Sequence, residues 1–175
     1  MKKKFTQIVA LLIPATMILT GCLKSNLDEY ETWKDTNDAY LTTINQTEYQ
    51  KIAPDWAPLN PVYIKWHNDR NLTASNLTPM STSTVDVVYE LEDINGTKIE
   101  NTYSKADSVY TSTVNQNVVG MMIALTSMHV GDSVTLIVPY ASGYGAQIRD
   151  SMLPYTNLIF HMKLKNIRSF EKPNS

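Results

Sequence analysis

The chain has 175 residues, 43% of them hydrophobic and 18% charged, with a formal net charge of −2. That balance suits a globular fold, and its acidic sign excludes a protein that binds nucleic acid or anionic surfaces through bulk charge. A single cysteine excludes a disulfide framework, so the fold must rest on its apolar core.

Lys2-Lys3-Lys4 precedes an apolar run from Phe5 to Leu19, which leads into Thr20-Gly21-Cys22. A basic start, a short apolar stretch and small residues describe an export signal over residues 1–21. The rival reading is a transmembrane helix, but the run is shorter than the roughly 20 residues of a span and contains Pro14. Leu19-Thr20-Gly21-Cys22 resembles the bacterial lipobox, in which cleavage precedes a cysteine that becomes acylated. An ordinary signal peptide with a chance cysteine is the alternative. The resemblance implies lipidation at Cys22, a place in the cell envelope, and anchoring to a membrane that the chain does not span. Two acyl chains exceed the single-chain limit for stable anchoring. Loss of Lys2, Lys3 and Lys4 takes the net charge from −2 to about −5, which again excludes nucleic acid as a partner.

Residues 22–28 form a polar tether. The spacing of Tyr30, Trp33, Tyr40, Leu41 and Ile44 predicts an amphipathic helix over residues 29–52, with Asp28 as N-cap and Ala53-Pro54 as the stop. Its apolar face is expected to pack on its own domain, giving a monomer; a dimerisation helix is the alternative. Residues 53–61, "APDWAPLNP", are a proline-punctuated connector. Strand-like alternation then covers Val62 to Trp66 and Val85 to Leu91, separated by a polar loop, and "INGTK" (94–98) carries an Asn-Gly hairpin signal. A further strand is predicted near Val109 to Val114, and a short helix over 118–128, with Gly131 as its left-handed cap. Asp132 to Val138 and Asn157 to Ile167 are the clearest strands, and 169–175 are a tail. The expected fold class is α+β, an antiparallel sheet with one short helix packed on it.

The residues exclude most familiar chemistries. His67, His129 and His161 have no metal-ligand spacing, and Gly143 and Gly145 open no helix, so neither a metal site nor a phosphate loop is expected. No Gly-x-Ser-x-Gly elbow is present. No cofactor is expected.

What remains is an ordered series. Met128-His-Val-Gly131-Asp132 is followed by Val138-Pro139-Tyr140, Gly143-Tyr144-Gly145-Ala146, Leu153-Pro154-Tyr155 and Leu158-Ile159-Phe160. This series resembles the C-terminal half of the FK506-binding-protein (FKBP) type of peptidyl-prolyl isomerase. "VVYELEDINGTKIENTY" (87–103) is more loosely similar to the family's strand, hairpin and Phe-Asp strand. The likeness spans residues 62–168. It implies a half-wrapped sheet of five or six antiparallel strands around a short helix, with a shallow apolar pocket between them. It also implies a catalytic set of Tyr144, Phe160, Tyr89 and Glu100, and a peptide-binding pocket that adds Ile99, Val118, Met121 and Met152. Proline-containing segments of exported proteins would be the partners.

Three departures bear on activity. The family has a tryptophan where this chain has Met121, a Phe-Asp pair where it has Ile99-Glu100, and Pro-Pro where it has Leu153-Pro154. A methionine floor is more adaptable but lacks a flat ring on which proline can pack. Two readings stay open: a slow prolyl isomerase, and a binding or chaperone module that keeps the pocket without turnover.

Overall fold

A computed structural model describes residues 20–103, 108–149 and 152–170. The export signal falls almost wholly outside the described residues, as does the end of the tail from residue 171. Seven strands are present among the described residues: β1 (Gln50–Ile52), β2 (Val62–Trp66), β3 (Thr84–Glu92), β4 (Lys98–Asn101), β5 (Tyr110–Thr113), β6 (Ser133–Val138) and β7 (Leu158–Ser169). They form one antiparallel sheet of order β1-β2-β6-β7-β3-β4, in which β5 also pairs β3, along residues 84–87, where β4 pairs residues 90–92. The resemblance implied five or six strands. The additional pairing comes from β1, a three-residue edge strand in a segment expected to be helical.

Strand alternation gives the sheet two apolar faces. Ile64, Leu136, Phe160 and Leu91 lie opposite one another across β2, β6, β7 and β3. They belong to the main core, which the helix α2 (Val119–Ser127) closes with Met121, Ile123, Ala124 and Leu125. On the other face Tyr63, Ile137 and Ile159 form a second row. The helix α1 (Thr20–Thr42) and the turn after it cover this row with Tyr40, Leu41 and Ile44. No helix among the described residues is long and apolar enough to cross a membrane.

The helix α1 packs on its own domain, as its apolar spacing predicts, but its limits differ from the expected 29–52. Its backbone begins at Thr20 and runs through the whole of the segment 22–28 read as a tether, and Cys22 lies in its first turn. It stops at Thr42 because side chains take over its last carbonyls. The hydroxyls of Thr42 and Thr43 donate to the carbonyls of Ala39 and Tyr40, and the Asn45 side chain then accepts from the backbone and hydroxyl of Thr47. Such local bonds compete with continued helix. The docking itself is polar at its centre. Asn37 is fully buried; its side-chain oxygen accepts from the Asn157 backbone N–H at 2.8 Å, and its carbonyl accepts from the Asn157 side-chain amide at 2.7 Å. Trp33 adds an indole N–H donated to the Thr156 hydroxyl at 2.9 Å.

The turn from α2 to β6 is also held by a buried polar group. Gly131 does not cap the helix directly: Met128 ends it in extended backbone, and Gly131 turns the chain later with φ +100°. The following residue, Asp132, is fully buried. Its carboxylate accepts from the Thr73 hydroxyl (2.6 Å), the Asn68 amide (2.9 Å) and the His129 N–H (2.8 Å), with the Arg70 guanidinium 3.5 Å away. Arg70 also donates to the carbonyl of Ser127, the last residue of α2.

Two outcomes are expected. Asn37→Ala should lower the unfolding free energy by about 1–3 kcal/mol, the cost of leaving the buried Asn157 N–H unpaired; denaturant titration measures it. For Asp132, burial pushes the carboxyl up, but the donors from Thr73, His129 and Asn68 and the Arg70 charge outweigh it and hold the folded value below the ordinary 3.8. Its stabilisation is therefore present above that value and lost as pH falls through the folded one. Asp132→Asn should flatten the acid limb of a stability profile recorded from about pH 5 downward.

Candidate functional site

The loop after β6 begins where Pro139 ends the strand, since proline donates no ladder hydrogen bond. A single 3₁₀ turn, Tyr140–Ser142, leads into Gly143-Tyr144-Gly145. Gly143 passes close to the sheet: a Cβ there would lie 3.2 Å from Leu158 Cδ1. Gly145 takes φ +61°, which suits glycine best. The Tyr140 carbonyl accepts from both glycine N–H groups, at 3.0 and 2.9 Å, and the Gly145 carbonyl accepts from the Tyr155 N–H at 2.8 Å. The Asn157 side chain accepts from the Tyr140 N–H at 2.9 Å. Tyr144 is thus carried on a loop whose backbone is tied at several points.

Tyr144 lines a cavity of about 360 Å³ bounded by this loop, the start of α2, and strands β3, β4, β5 and β7. Of the sequence-predicted site residues, Tyr89, Glu100, Val118, Met121, Tyr144 and Phe160 share its wall. Their positions follow from the elements. Tyr89 and Leu91 are inward residues of β3, and Phe160 stands opposite Leu91 on β7. Gly120 lets α2 lie against β6, which brings its neighbour Met121 to the floor. The rings meet edge to face, Tyr89 with Phe160 at 5.6 Å and 72°, and Tyr89 with Tyr110 at 5.7 Å and 84°. Burial, then the charge of Glu100 and a hydrogen bond to it, push the Tyr89 phenol well above its ordinary 10.0, so it remains a neutral donor to the Glu100 carboxylate. The Arg149 guanidinium lies over the Tyr144 ring, 3.9 Å from its centroid.

Two predicted pocket residues lie elsewhere. Ile99 packs against the main core and does not line the cavity. Leu91 pairs with Glu100 and Glu92 with Lys98, leaving Ile99 as the extra residue of a β-bulge. Met152 also packs on the core; its backbone pairs with Arg149, and Arg149 reaches the cavity in its place. The cavity further includes Leu91, Tyr110, Gln116, Asn117 and Arg149, which sequence reasoning missed. The alternation that selected Tyr89 would also have selected Leu91. Tyr110 reaches the site only because β5 pairs with β3, for which the sequence carried no signal.

The arrangement suits binding. Aromatic and aliphatic side chains at the base of the concavity fit a compact ring, while its polar residues, Glu100, Gln116, Asn117 and Arg149, and a phenol on a restrained loop can meet the peptide-like groups around that ring. The backbone of Cys22 belongs to the first turn of α1, and its side chain lies outside the described residues. Among the described residues no group of three or more His, Cys, Asp or Glu side chains could hold a metal ion.

A family model described as FKBP-type peptidyl-prolyl cis-trans isomerase matches residues 75–165, more than half of the chain. The fold is similar to that of a peptidyl-prolyl cis-trans isomerase from Pseudomonas syringae pv. tomato, with a TM-score of 0.58 and 18% identity. That similarity covers 82% of this chain and 94% of the other. FkpA from Escherichia coli is also similar, with a TM-score of 0.58 and 14% identity over 82% of this chain and 60% of FkpA. At these identities the likeness to both structures is one of fold. No curated protein matches the sequence.

Proposed function

The chain belongs to the FKBP-type peptidyl-prolyl cis-trans isomerase family, and we propose that it is a membrane-tethered isomerase of the cell envelope, of low activity, acting on proline-containing segments of exported proteins. The observation that carries the catalytic part is the meeting of Tyr144, Phe160, Tyr89, Val118 and Met121 on one cavity. These residues come from a loop, two strands and a helix, so no local pattern forces them together.

Such a site needs little chemistry. Rotation about an X-Pro bond faces a barrier of roughly 18–20 kcal/mol because amide resonance is lost midway. The twisted amide is less polar than the planar one and is favoured by a dry apolar surround. Phe160, Tyr89, Leu91 and Met121 supply that surround, each only 4% exposed. The Tyr144 hydroxyl donates to a neighbouring carbonyl of the peptide and holds it while the bond turns. No proton is transferred, and rate enhancement is differential binding of the twisted state.

A second reading, a binding or chaperone module without turnover, is favoured by Met121. This residue occupies the floor where the family pattern has tryptophan, and it offers the prolyl ring no flat surface. Support for the tether is the Leu19-Thr20-Gly21-Cys22 sequence after a basic and apolar start. Cys22 would then be the lipidated residue, and the acyl chains would hold the domain at a membrane surface. Exported chains would be the partners because they pass through the same compartment.

Tyr144→Phe should weaken binding of a prolyl peptide by about 0.5–1.5 kcal/mol, the net worth of one neutral hydrogen bond, with little change in stability. Calorimetry and a denaturant titration would read the two effects separately. Met121→Trp should raise the rate in a cis/trans peptide assay, although overpacking could cost about 1–3 kcal/mol of stability. A faster Met121→Trp variant supports the isomerase; an unmeasurable rate in both proteins alongside peptide binding supports the binding module.

Cys22→Ser should abolish acylation and move the protein from the membrane fraction to the soluble fraction. Mass spectrometry of the mature N-terminus checks this directly: an unmodified Cys22 in the unsubstituted protein refutes the tether.

A further inference from the structure

Arg149 stands apart from the other residues of the cavity. It is an exposed residue and the one cation among the residues lining this site, whose other polar residues are Glu100, Gln116 and Asn117. Its guanidinium lies over the Tyr144 ring at 3.9 Å, a stacking distance that leaves the in-plane N–H edges free to meet another group. Its backbone forms an isolated bridge with Met152. The Arg149 N–H donates to the Met152 carbonyl at 3.3 Å, the Met152 N–H returns a bond at 3.0 Å, and Met152 is anchored in the core. Among the described residues, arginine ion pairs join Arg70 to Asp132 and Arg168 to Asp86, and none involves Arg149. Glu100, which also lines the cavity, is engaged by the Tyr89 hydroxyl.

From this we propose that Arg149 is a specificity-determining residue, selecting prolyl peptides with an aspartate or glutamate immediately beside the proline. The inference rests on the prolyl-peptide reading of the cavity. Planar guanidinium and carboxylate groups match in a two-bond fork. Because Arg149 stacks on Tyr144, a carboxylate on its edge lies near a carbonyl held by the Tyr144 hydroxyl. One residue advances the chain by roughly 3.3–3.6 Å, so the acid belongs to a neighbour of the proline and not to a distant position. The net negative charge of the protein opposes this only weakly, since exposed charges beyond about 8 Å are screened at physiological ionic strength.

The test uses the full chain purified in detergent and two peptide series, Ala-Xaa-Pro-Phe and Ala-Pro-Xaa-Phe, with leucine, glutamine or glutamate at Xaa. Affinities come from titration calorimetry, and cis/trans exchange from NMR. In at least one series the glutamate peptide should bind about three- to five-fold tighter than the glutamine peptide, as fits a rim ion pair. The preference should shrink in about 0.5 M NaCl. It should vanish in Arg149→Gln and survive only in part in Arg149→Lys, whose ammonium cannot form the fork. Equal binding of glutamate and glutamine peptides, with the leucine peptide bound, overturns this inference and leaves the pocket reading standing. A preference that persists in Arg149→Gln also overturns it. Failure of every peptide to bind overturns the pocket reading and this inference together. Melting curves report whether Arg149→Gln is folded; if it is not, the salt dependence in the unsubstituted chain decides the matter.

Discussion

The floor of the pocket depends on how closely α2 approaches β6, and that distance is set at Gly120. A Cβ on this residue would stand 2.3 Å from Val138 Cγ1, so only a hydrogen fits. Glycine inside a helix costs about 1 kcal/mol relative to alanine. Here the cost is offset by seating Ile123, Ala124 and Leu125 fully against the sheet. The far end of α2 is held independently, through Arg70 on the Ser127 carbonyl and the buried Asp132 in the turn. With both ends constrained, Met121 and Val118 have one place to go.

The opposite face of the sheet follows a different logic. An apolar row of Tyr63, Ile137 and Ile159 needs cover, and α1 with the turn after it supplies it. Apolar packing alone would let a helix slide. The paired asparagines, with two bonds in fixed directions, specify one register between α1 and the segment before β7. Leaving a buried amide unpaired costs more than one such bond contributes, so polar contacts of this kind discriminate between arrangements.

Much of this was legible in the sequence, because the longest elements carry strong patterns. The β-branched alternation of β3, β6 and β7, the proline after β6 and the Gly-Tyr-Gly loop each have one economical reading, and together they mark the family and most of the pocket. The misses have local causes. Threonine and asparagine side chains ended α1 early, although the apolar spacing continued through Ile44. A bulge removed Ile99 from the register that motif matching gives it. Tyr110 and Arg149 joined the site through pairings between segments distant from Tyr144 or across a tight bridge, and hydrophobic periodicity does not record such contacts.

Asn157 is where the two faces of the protein meet. Its side-chain oxygen holds the Tyr140 N–H at the base of the tyrosine loop, while its own backbone and amide N–H groups are held by Asn37 of α1. The loop is therefore not a separate flap. Releasing it means breaking into the same polar node that docks the helix, so loop and helix form one cooperative unit with a shared opening free energy. A free surface loop fluctuates in nanoseconds to microseconds, whereas local unfolding of a docked element is slower, reaching microseconds to seconds. Shared bonding at Asn157 ties Tyr144 to the slower of these two clocks, so the wall it gives the cavity has the persistence of a docked helix on the far side of the sheet and not that of a surface loop.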